Sequence, residues 1–373
     1  VQDMFDKRAH EWDESVKVGV MIPLHKKGDR ELLNNFRGVC LLTMGSRILA
    51  KVIAKRLGWW AEHLDLLDEN QAGFRKGRST ADVVQIMMRM QEDVTDCKRR
   101  VNEGEEEEDM SEDEWPCARL LDLRKAYPRV CKPALWMLLG RYGLKGRCME
   151  TVYDLHESTE YKVRGRDGES DRWRPARGLR EGCSTSPILF NVFHQAVMRQ
   201  AEEGRENVGG EVGVEWKWVP GSAFAGTRSW ERGCTEAKSV RVKSALFADD
   251  TTIVGKKGEL DEGVREVKRV MGEWEERNNE EKEEELEFGT EEGGEIRVLG
   301  SWLGEEADIR NRTRRAGMLW ARVKSWLRES RMSKRWQARV VEACVESSLL
   351  YDCQARVWYK RGIKRLQSWM DKC

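Results

Sequence analysis

Ala245-Leu246-Phe247-Ala248-Asp249-Asp250-Thr251-Thr252-Ile253-Val254 decides the reading of this chain. Two adjacent carboxylates stand between apolar, β-branched flanks, the pattern of a buried hairpin with an acidic tip. Neighbouring side chains on a straight strand point to opposite faces, so both acids serve one site only where a tight turn re-aims them. Carboxylates held that way suit hard divalent cations, which prefer oxygen ligands. An ordinary solvated turn also accommodates Asp-Asp, so the pair needs company.

A second carboxylate follows an apolar run in Cys117-Ala118-Arg119-Leu120-Leu121-Asp122-Leu123-Arg124-Lys125-Ala126-Tyr127. That run reads as a strand delivering Asp122 at its end; a cap beside Arg124 or Lys125 is the plainer reading. Three carboxylates from two strands are what two-metal phosphoryl or nucleotidyl transfer requires. The third element, Gly178-Leu179-Arg180-Glu181-Gly182-Cys183-Ser184-Thr185-Ser186-Pro187-Ile188-Leu189-Phe190-Asn191-Val192-Phe193, is a glycine-bounded loop entering a helix. Ser186 suits the N-cap, Pro187 the first helical position, and apolar spacing continues to Met198.

With these elements on the page the chain resembles the reverse transcriptases of LINE-type (non-LTR) retrotransposons. Lys26-Lys27-Gly28-Asp29, Asn35-Phe36-Arg37-Gly38-Val39-Cys40-Leu41-Leu42 and Gln71-Ala72-Gly73-Phe74-Arg75-Lys76-Gly77-Arg78-Ser79-Thr80 are similar to that family's fingers motifs. The Asp122 strand, the Gly178 loop and the Asp-Asp hairpin follow in the family's order. Val298-Leu299-Gly300-Ser301-Trp302-Leu303 resembles its primer-grip hairpin, centred on Leu299 and Gly300. The likeness runs from about Val18 onward.

The resemblance implies an α+β right-hand polymerase fold: fingers, an antiparallel palm sheet backed by helices, and a partial helical thumb. Its implied boundaries are fingers over 1–115 with an acidic disordered loop near 101–114, and the first palm strand over 116–130. Fingers/palm helices and a hairpin over 131–175 and the palm over 176–295 follow. Primer grip and partial thumb occupy 296–373. Asp122, Asp249 and Asp250 are implied as catalytic ligands of two Mg2+ ions, with Mn2+ as an alternative. Tyr127 falls where an aromatic sits under the incoming sugar and excludes a 2′-hydroxyl; a buried aromatic is its plainer reading. Lys26, Arg37, Arg75 and Arg78 are implied as contacts to the triphosphate or template, and each is equally natural as a solvated surface cation. Lys282 resembles a palm lysine that protonates or orients the leaving pyrophosphate.

The implied activity is RNA-directed DNA synthesis, with an RNA template, a DNA primer and dNTPs as partners. Two other outcomes stay open: a catalytically inactive nucleic-acid-binding relic, and a maturase-like helper that binds intron RNA during splicing. The family's usual Gln is Glu181 here, in a loop near template and nucleotide. A carboxylate there repels phosphates unless it is protonated or holds metal. Pro128 replaces an acid, and Ser184-Thr185 replace a proline and a larger residue.

Composition agrees with this picture without deciding it. The chain has 373 residues and a formal net charge of zero, but acidic blocks at Glu103–Glu114 and Glu273–Glu295 are balanced by a basic segment from Arg310 to Lys372. The ten cysteines form no Cys-x-x-Cys pair, which argues for reduced thiols in an intracellular compartment, nucleus or cytoplasm. No apolar run reaches membrane-spanning length, and no signal-peptide pattern precedes the fingers. Residues 204–240 read as an irregular hairpin insertion and 278–294 as a charged, poorly determined connection. Of the sixteen tryptophans, Trp136, Trp274 and Trp326 follow helical core spacing. Trp320 and Trp336, flanked by Arg and Lys, are better placed for a nucleic-acid-facing surface.

Overall fold

The computed structural model describes residues 2–8, 11–103, 111–166, 168–207, 213–218, 238–356 and 358–371. In chain order its strands are β1 (Val18–His25), β2 (Phe36–Leu41), β3 (Pro116–Asp122), β4 (Glu160–Val163), β5 (Val214–Trp218), β6 (Lys238–Val242), β7 (Ser244–Phe247), β8 (Asp250–Lys256), β9 (Glu284–Glu287), β10 (Arg297–Val298) and β11 (Ser301–Trp302). The chain divides into two compact units. The first holds Val1–Arg75, Leu121–Glu211 and Gly263–Lys282; the second holds Lys76–Leu120, Val212–Glu262 and Glu283–Cys373.

The first unit carries the sheet β2-β1-β4. β1 and β2 pair antiparallel, with Val20 opposite Leu41, and β4 lies parallel to β1. Helix Met44–His63 buries Leu49, Ala50, Ile53, Leu57 and Ala61, a spacing that follows the helical period. Helix Ser186–Asn207 is apolar on nearly every side and buries Ile188 through Met198 without interruption, as expected of a central helix. Two of its buried amides donate across the fold, Asn191 to the Gly73 carbonyl at 2.6 Å and Gln195 to the Asp68 carboxylate at 2.6 Å. His194 meets Glu276 at 2.9 Å, both buried. Such pairing offsets the several-kcal/mol penalty of leaving polar groups dry. Ser186 is the first helical residue, and its hydroxyl donates to the Arg180 carbonyl at 2.7 Å. It ties loop to helix.

The second unit carries the sheet β7-β8-β3-β9. β7/β8 and β3/β9 pair antiparallel, and Lys257 N–H donating to the Trp115 carbonyl at 3.0 Å sets β3 antiparallel to β8. Helix Thr80–Asn102 packs here, opened by a capping box in which Asp82 accepts from the Ser79 N–H at 2.6 Å. Met87, Met88 and Met90 are buried in its core-facing side, where flexible thioethers fill irregular gaps. At the carboxy-terminal end, helices Glu305–Glu329 and Lys360–Met370 share a cluster of Ile309, Ala316, Val345, Leu349 and Leu366.

At the edges of the acidic loop expected near 101–114, helix Thr80–Asn102 ends and a 3-10 turn forms at Glu112–Glu114, closed by Ser111 and Glu114; its centre, 104–110, lies outside the described residues. The charged connection 278–294 forms a 3-10 turn at Glu280–Lys282, β9 and the short helix Glu291–Gly294. Trp326 is 53 % exposed rather than core. The 204–240 insertion contributes the β5/β6 hairpin, with Val214 opposite Val242; Gly204–Asn207 finish the preceding helix, and 219–237 lie outside the described residues. The described cysteines are free thiols.

Candidate active site

The Asp-Asp motif folds as the flanks dictate. Phe247 pairs with Asp250, so Ala248 and Asp249 form a two-residue turn between β7 and β8. Ala248 has φ 58° and is buried. A left-handed conformation costs a residue with a Cβ about 1–2 kcal/mol, and strain of this kind clusters at functional turns. The turn displaces Asp249 from straight-strand alternation, as the shared use of two neighbouring acids requires.

Asp122 ends β3, and from Leu121 onward the chain belongs to the first unit. There its main chain pairs with 277–279: the Asn279 N–H donates to the Asp122 carbonyl at 2.8 Å and the Arg124 N–H to the Arg277 carbonyl at 2.8 Å. The Asp122 carboxylate accepts from Lys282 Nζ at 2.7 Å and from Asn279 Nδ2 at 3.3 Å. The lysine read as a pyrophosphate contact is thus a direct partner of a candidate metal ligand. Sequence reasoning missed Asn279 as a partner, since nothing local distinguishes it from a loop asparagine. Among the described residues, no three His, Cys, Asp or Glu side chains are gathered as a metal pocket.

The glycine-bounded loop is built by steric necessity. Gly182 has φ 102°, and a Cβ there would lie 2.6 Å from the Cys40 carbonyl oxygen. At Gly178, φ 88°, it would lie 2.6 Å from the Pro128 carbonyl oxygen. These close approaches let the Cys40 N–H donate to the Glu181 carbonyl at 3.0 Å and the Leu179 N–H to the Tyr127 carbonyl at 2.8 Å. Tyr127 is half-buried, its ring 5.1 Å from that of Phe190. Glu181 is neither isolated nor set apart: its carboxylate accepts from Arg37 Nε at 3.0 Å. The departure from the family's Gln is compensated by a cation from β2.

Other candidates separate. Lys26 is exposed just after β1, its N–H donating to the Asn35 carbonyl at 2.8 Å. Arg75 is clasped within its own loop by Glu62 at 2.6 Å and by the Asp68 and Gln71 carbonyls at 2.6 and 3.0 Å; hydrogen bonding to Glu62 raises its pKa. Its fork of donors is engaged by these partners, which tie the loop to the end of helix Met44–His63. Arg78 is half-buried before helix Thr80–Asn102 in the second unit.

The primer-grip candidate is a hairpin of β10 and β11 in which Val298 pairs with Ser301. Its turn residues, Leu299 at φ 47° and Gly300 at φ 102°, are both left-handed, as a type I′ turn demands; a leucine there is strained. Tyr351 Oη donates to the Leu299 carbonyl at 3.1 Å and Arg315 donates to the Gly300 carbonyl at 3.4 Å. Neither Tyr351 nor Arg315 belongs to a local motif, so the sequence did not single them out.

With this geometry in place, comparison with known proteins is informative. A family model described as reverse transcriptase (RNA-dependent DNA polymerase) matches residues 24–303. A stretch of 79 residues is 29 % identical to the retrovirus-related Pol polyprotein from type-2 retrotransposable element R2DM of Drosophila melanogaster, covering 21 % of this chain and 8 % of that protein. Apo telomerase from Candida tropicalis superposes with a TM-score of 0.52 at 10 % identity, covering 96 % of this chain and 58 % of that one. Telomerase from Candida albicans, in complex with a fragment of telomeric RNA, gives 0.50 at 9 % identity over 100 % of this chain and 59 % of that one. At such identity these structures speak to the fold alone, and the fold is the right-hand polymerase one. The chain spans less than two thirds of the length of each of these relatives. No helix among the described residues is long and apolar enough to cross a membrane.

Proposed function

The chain belongs to the reverse transcriptase (RNA-dependent DNA polymerase) family, and from that premise we propose that it is an RNA-directed DNA polymerase. It would extend the 3′-hydroxyl of a DNA primer on an RNA template, using deoxynucleoside triphosphates and releasing pyrophosphate. The observation that carries this reading is the strained Ala248-Asp249 turn opening β8 with Asp250.

Asp122, Asp249 and Asp250 offer hard oxygen donors only, a set that suits Mg2+, with Mn2+ as substitute. When bound, two such ions would supply charge neutralisation and a more acidic primer hydroxyl. The protein's own share is positioning. Tyr127, fixed by Leu179 and Phe190, would exclude a 2′-hydroxyl from the incoming sugar. Leu299 and Gly300 would hold the primer end through carbonyls steadied by Tyr351 and Arg315. Lys26 and Arg37 would face the triphosphate or template.

The decisive assay is extension of an oligo(dT) primer on poly(rA) with dTTP and Mg2+. Product is expected; its absence with both Mg2+ and Mn2+ would sink the reading.

Lys282 supplies a second test. On this proposal its ammonium occupies Asp122 at 2.7 Å until metal binds, and then serves the departing pyrophosphate. Lys282→Ala removes an internal competitor, so the Mg2+ concentration for half-maximal extension should fall. The turnover number should drop roughly 10²-fold, the low end for losing a proton donor. A variant unchanged in both quantities would make the pair an ordinary surface ion pair.

A further inference from the structure

Helices Glu305–Glu329 and Lys360–Met370 enclose an open cavity of about 590 Å³ lined by Ile309, Thr313, Lys360, Arg361, Lys364, Arg365, Ser368 and Trp369. Four of these eight residues are cations, and none is acidic. Arg365 is paired with Glu306 across the helices. No salt bridge neutralises Lys360, Arg361 or Lys364 among the described residues. All three are exposed.

This arrangement opposes what the helix alone prefers. Lys360, Arg361 and Lys364 lie at or near the amino-terminal turn of their helix, where the macrodipole favours anions, and no acid stands in that turn. Lys360/Lys364 and Arg361/Arg365 are also like-charged pairs at i,i+4, which repel. Glu305 lies close by, against Gly362, but it does not line the cavity. Glu306, paired with Arg365, also acts on Arg361, so the cations outnumber the acids at this face.

We propose that this cavity is a phosphate-backbone site for a single nucleic-acid strand, separate from the carboxylate turn. Arg361 presents a planar fork that fits phosphate oxygens, and the lysines act as flexible point charges. Half-buried Trp369 gives the cavity an aromatic wall, and any base can stack there because each has a π-face. The volume falls in the range of sites for small molecules, enough for one nucleotide with its flanking phosphates. A flat anionic surface would not need a concave site with cations converging on one aromatic wall.

The proposal relies on the polymerase reading only for the class of partner, and its test is independent of catalysis. Binding of a fluorescein-labelled single-stranded RNA is measured by anisotropy on the full chain in EDTA, across a KCl series. Lys360→Gln/Arg361→Gln/Lys364→Gln is expected to weaken binding about tenfold or more at 0.1 M salt. The slope of log K against log[KCl] should become shallower by about 2, near 0.7 for each phosphate that is no longer neutralised. Lys360→Arg/Lys364→Arg, which keeps the charge, is expected to bind as wild type does, separating charge from folding.

Unchanged affinity and slope in the triple variant would overturn the site. So would full displacement of the RNA by equimolar pyrophosphate, which would mark a site for free phosphates. Loss of binding to phosphatidylserine vesicles with RNA binding intact would likewise overturn it, in favour of a membrane surface. Asp249→Asn, tested in parallel, should retain the RNA, so failed extension and failed binding are told apart.

Discussion

Asp249→Asn is expected to reduce primer extension by at least about 10³-fold, some 4 kcal/mol of transition-state stabilisation, while leaving the protein folded. The side chain keeps its size and one oxygen but loses the charge through which a carboxylate would hold a divalent cation. Folding should tolerate the change because Asp249 is a turn residue between Phe247 and Asp250, and asparagine is at least as well suited to such turns as aspartate. Asp250→Asn should behave likewise, and the double variant should lose little more than either alone, since groups acting on one centre are not additive. The measurements are single-turnover extension on poly(rA)/oligo(dT) and a thermal melt of the same samples. Near-normal extension by Asp249→Asn would remove the hairpin from the chemistry, whatever its resemblance.

What was legible in the sequence is what local patterns encode. The hairpin around Asp249, the strand into Asp122 and the helix entered at Ser186 all follow from alternation, turn chemistry and helical spacing over ten to twenty residues, about the reach of such signals. The loop glycines were legible as boundaries, but their necessity appears only when Gly182 meets the Cys40 carbonyl and Gly178 meets Pro128.

Strand β9 was not legible. It lies at the sheet edge, and of Glu284–Glu287 only Leu286 is buried, so its acidic run gives no alternation. Arg119, on β3, makes that run tolerable by gathering Asp261 at 2.7 Å, Glu283 at 3.2 Å and Glu285 at 3.0 Å. The Arg37–Glu181 pair was hidden for another reason: its members are 144 residues apart, and sequence supplies no distance between them. Glu181 considered alone looked like damage; with Arg37 beside it the loop carries a neutralised pair. An exposed pair of this kind contributes little stability, about 0–1 kcal/mol, so its consequence is electrostatic. It lowers the negative charge offered to a phosphate, and it commits Arg37 to Glu181 until a stronger anion competes.

Asp308→Ala should be the most damaging single substitution in the carboxy-terminal part of the second unit. Asp308 is 1 % exposed and accepts from Arg312 Nε at 2.8 Å and from the Trp302 N–H at 3.3 Å. Arg356 Nε lies 3.7 Å away, and burial lowers the pKa of that guanidinium. Both arginines also fasten main chain. Arg312 donates to the Leu349 carbonyl at 3.0 Å and Arg356 to the Trp302 carbonyl at 2.8 Å, so the pair joins helix Glu305–Glu329 to residues 349–356 and to the β10/β11 hairpin. Removing the carboxylate leaves two buried cations with Glu92, 3.8 Å from Arg356, and Glu305 as acids acting on Arg356. Breaking a buried pair from one side costs about 3–5 kcal/mol, against the 5–15 kcal/mol that typically separates folded from unfolded states. Asp308→Asn keeps an acceptor for the Trp302 N–H and should lose less. Because the chain has two units, a single melting temperature would blur the effect. Native-state hydrogen exchange at the amides of Glu305–Glu329 isolates it, and protection there should fall by roughly 10²–10³-fold for Asp308→Ala. Unaltered protection would mean that the arginines are held by the Leu349 and Trp302 carbonyls alone.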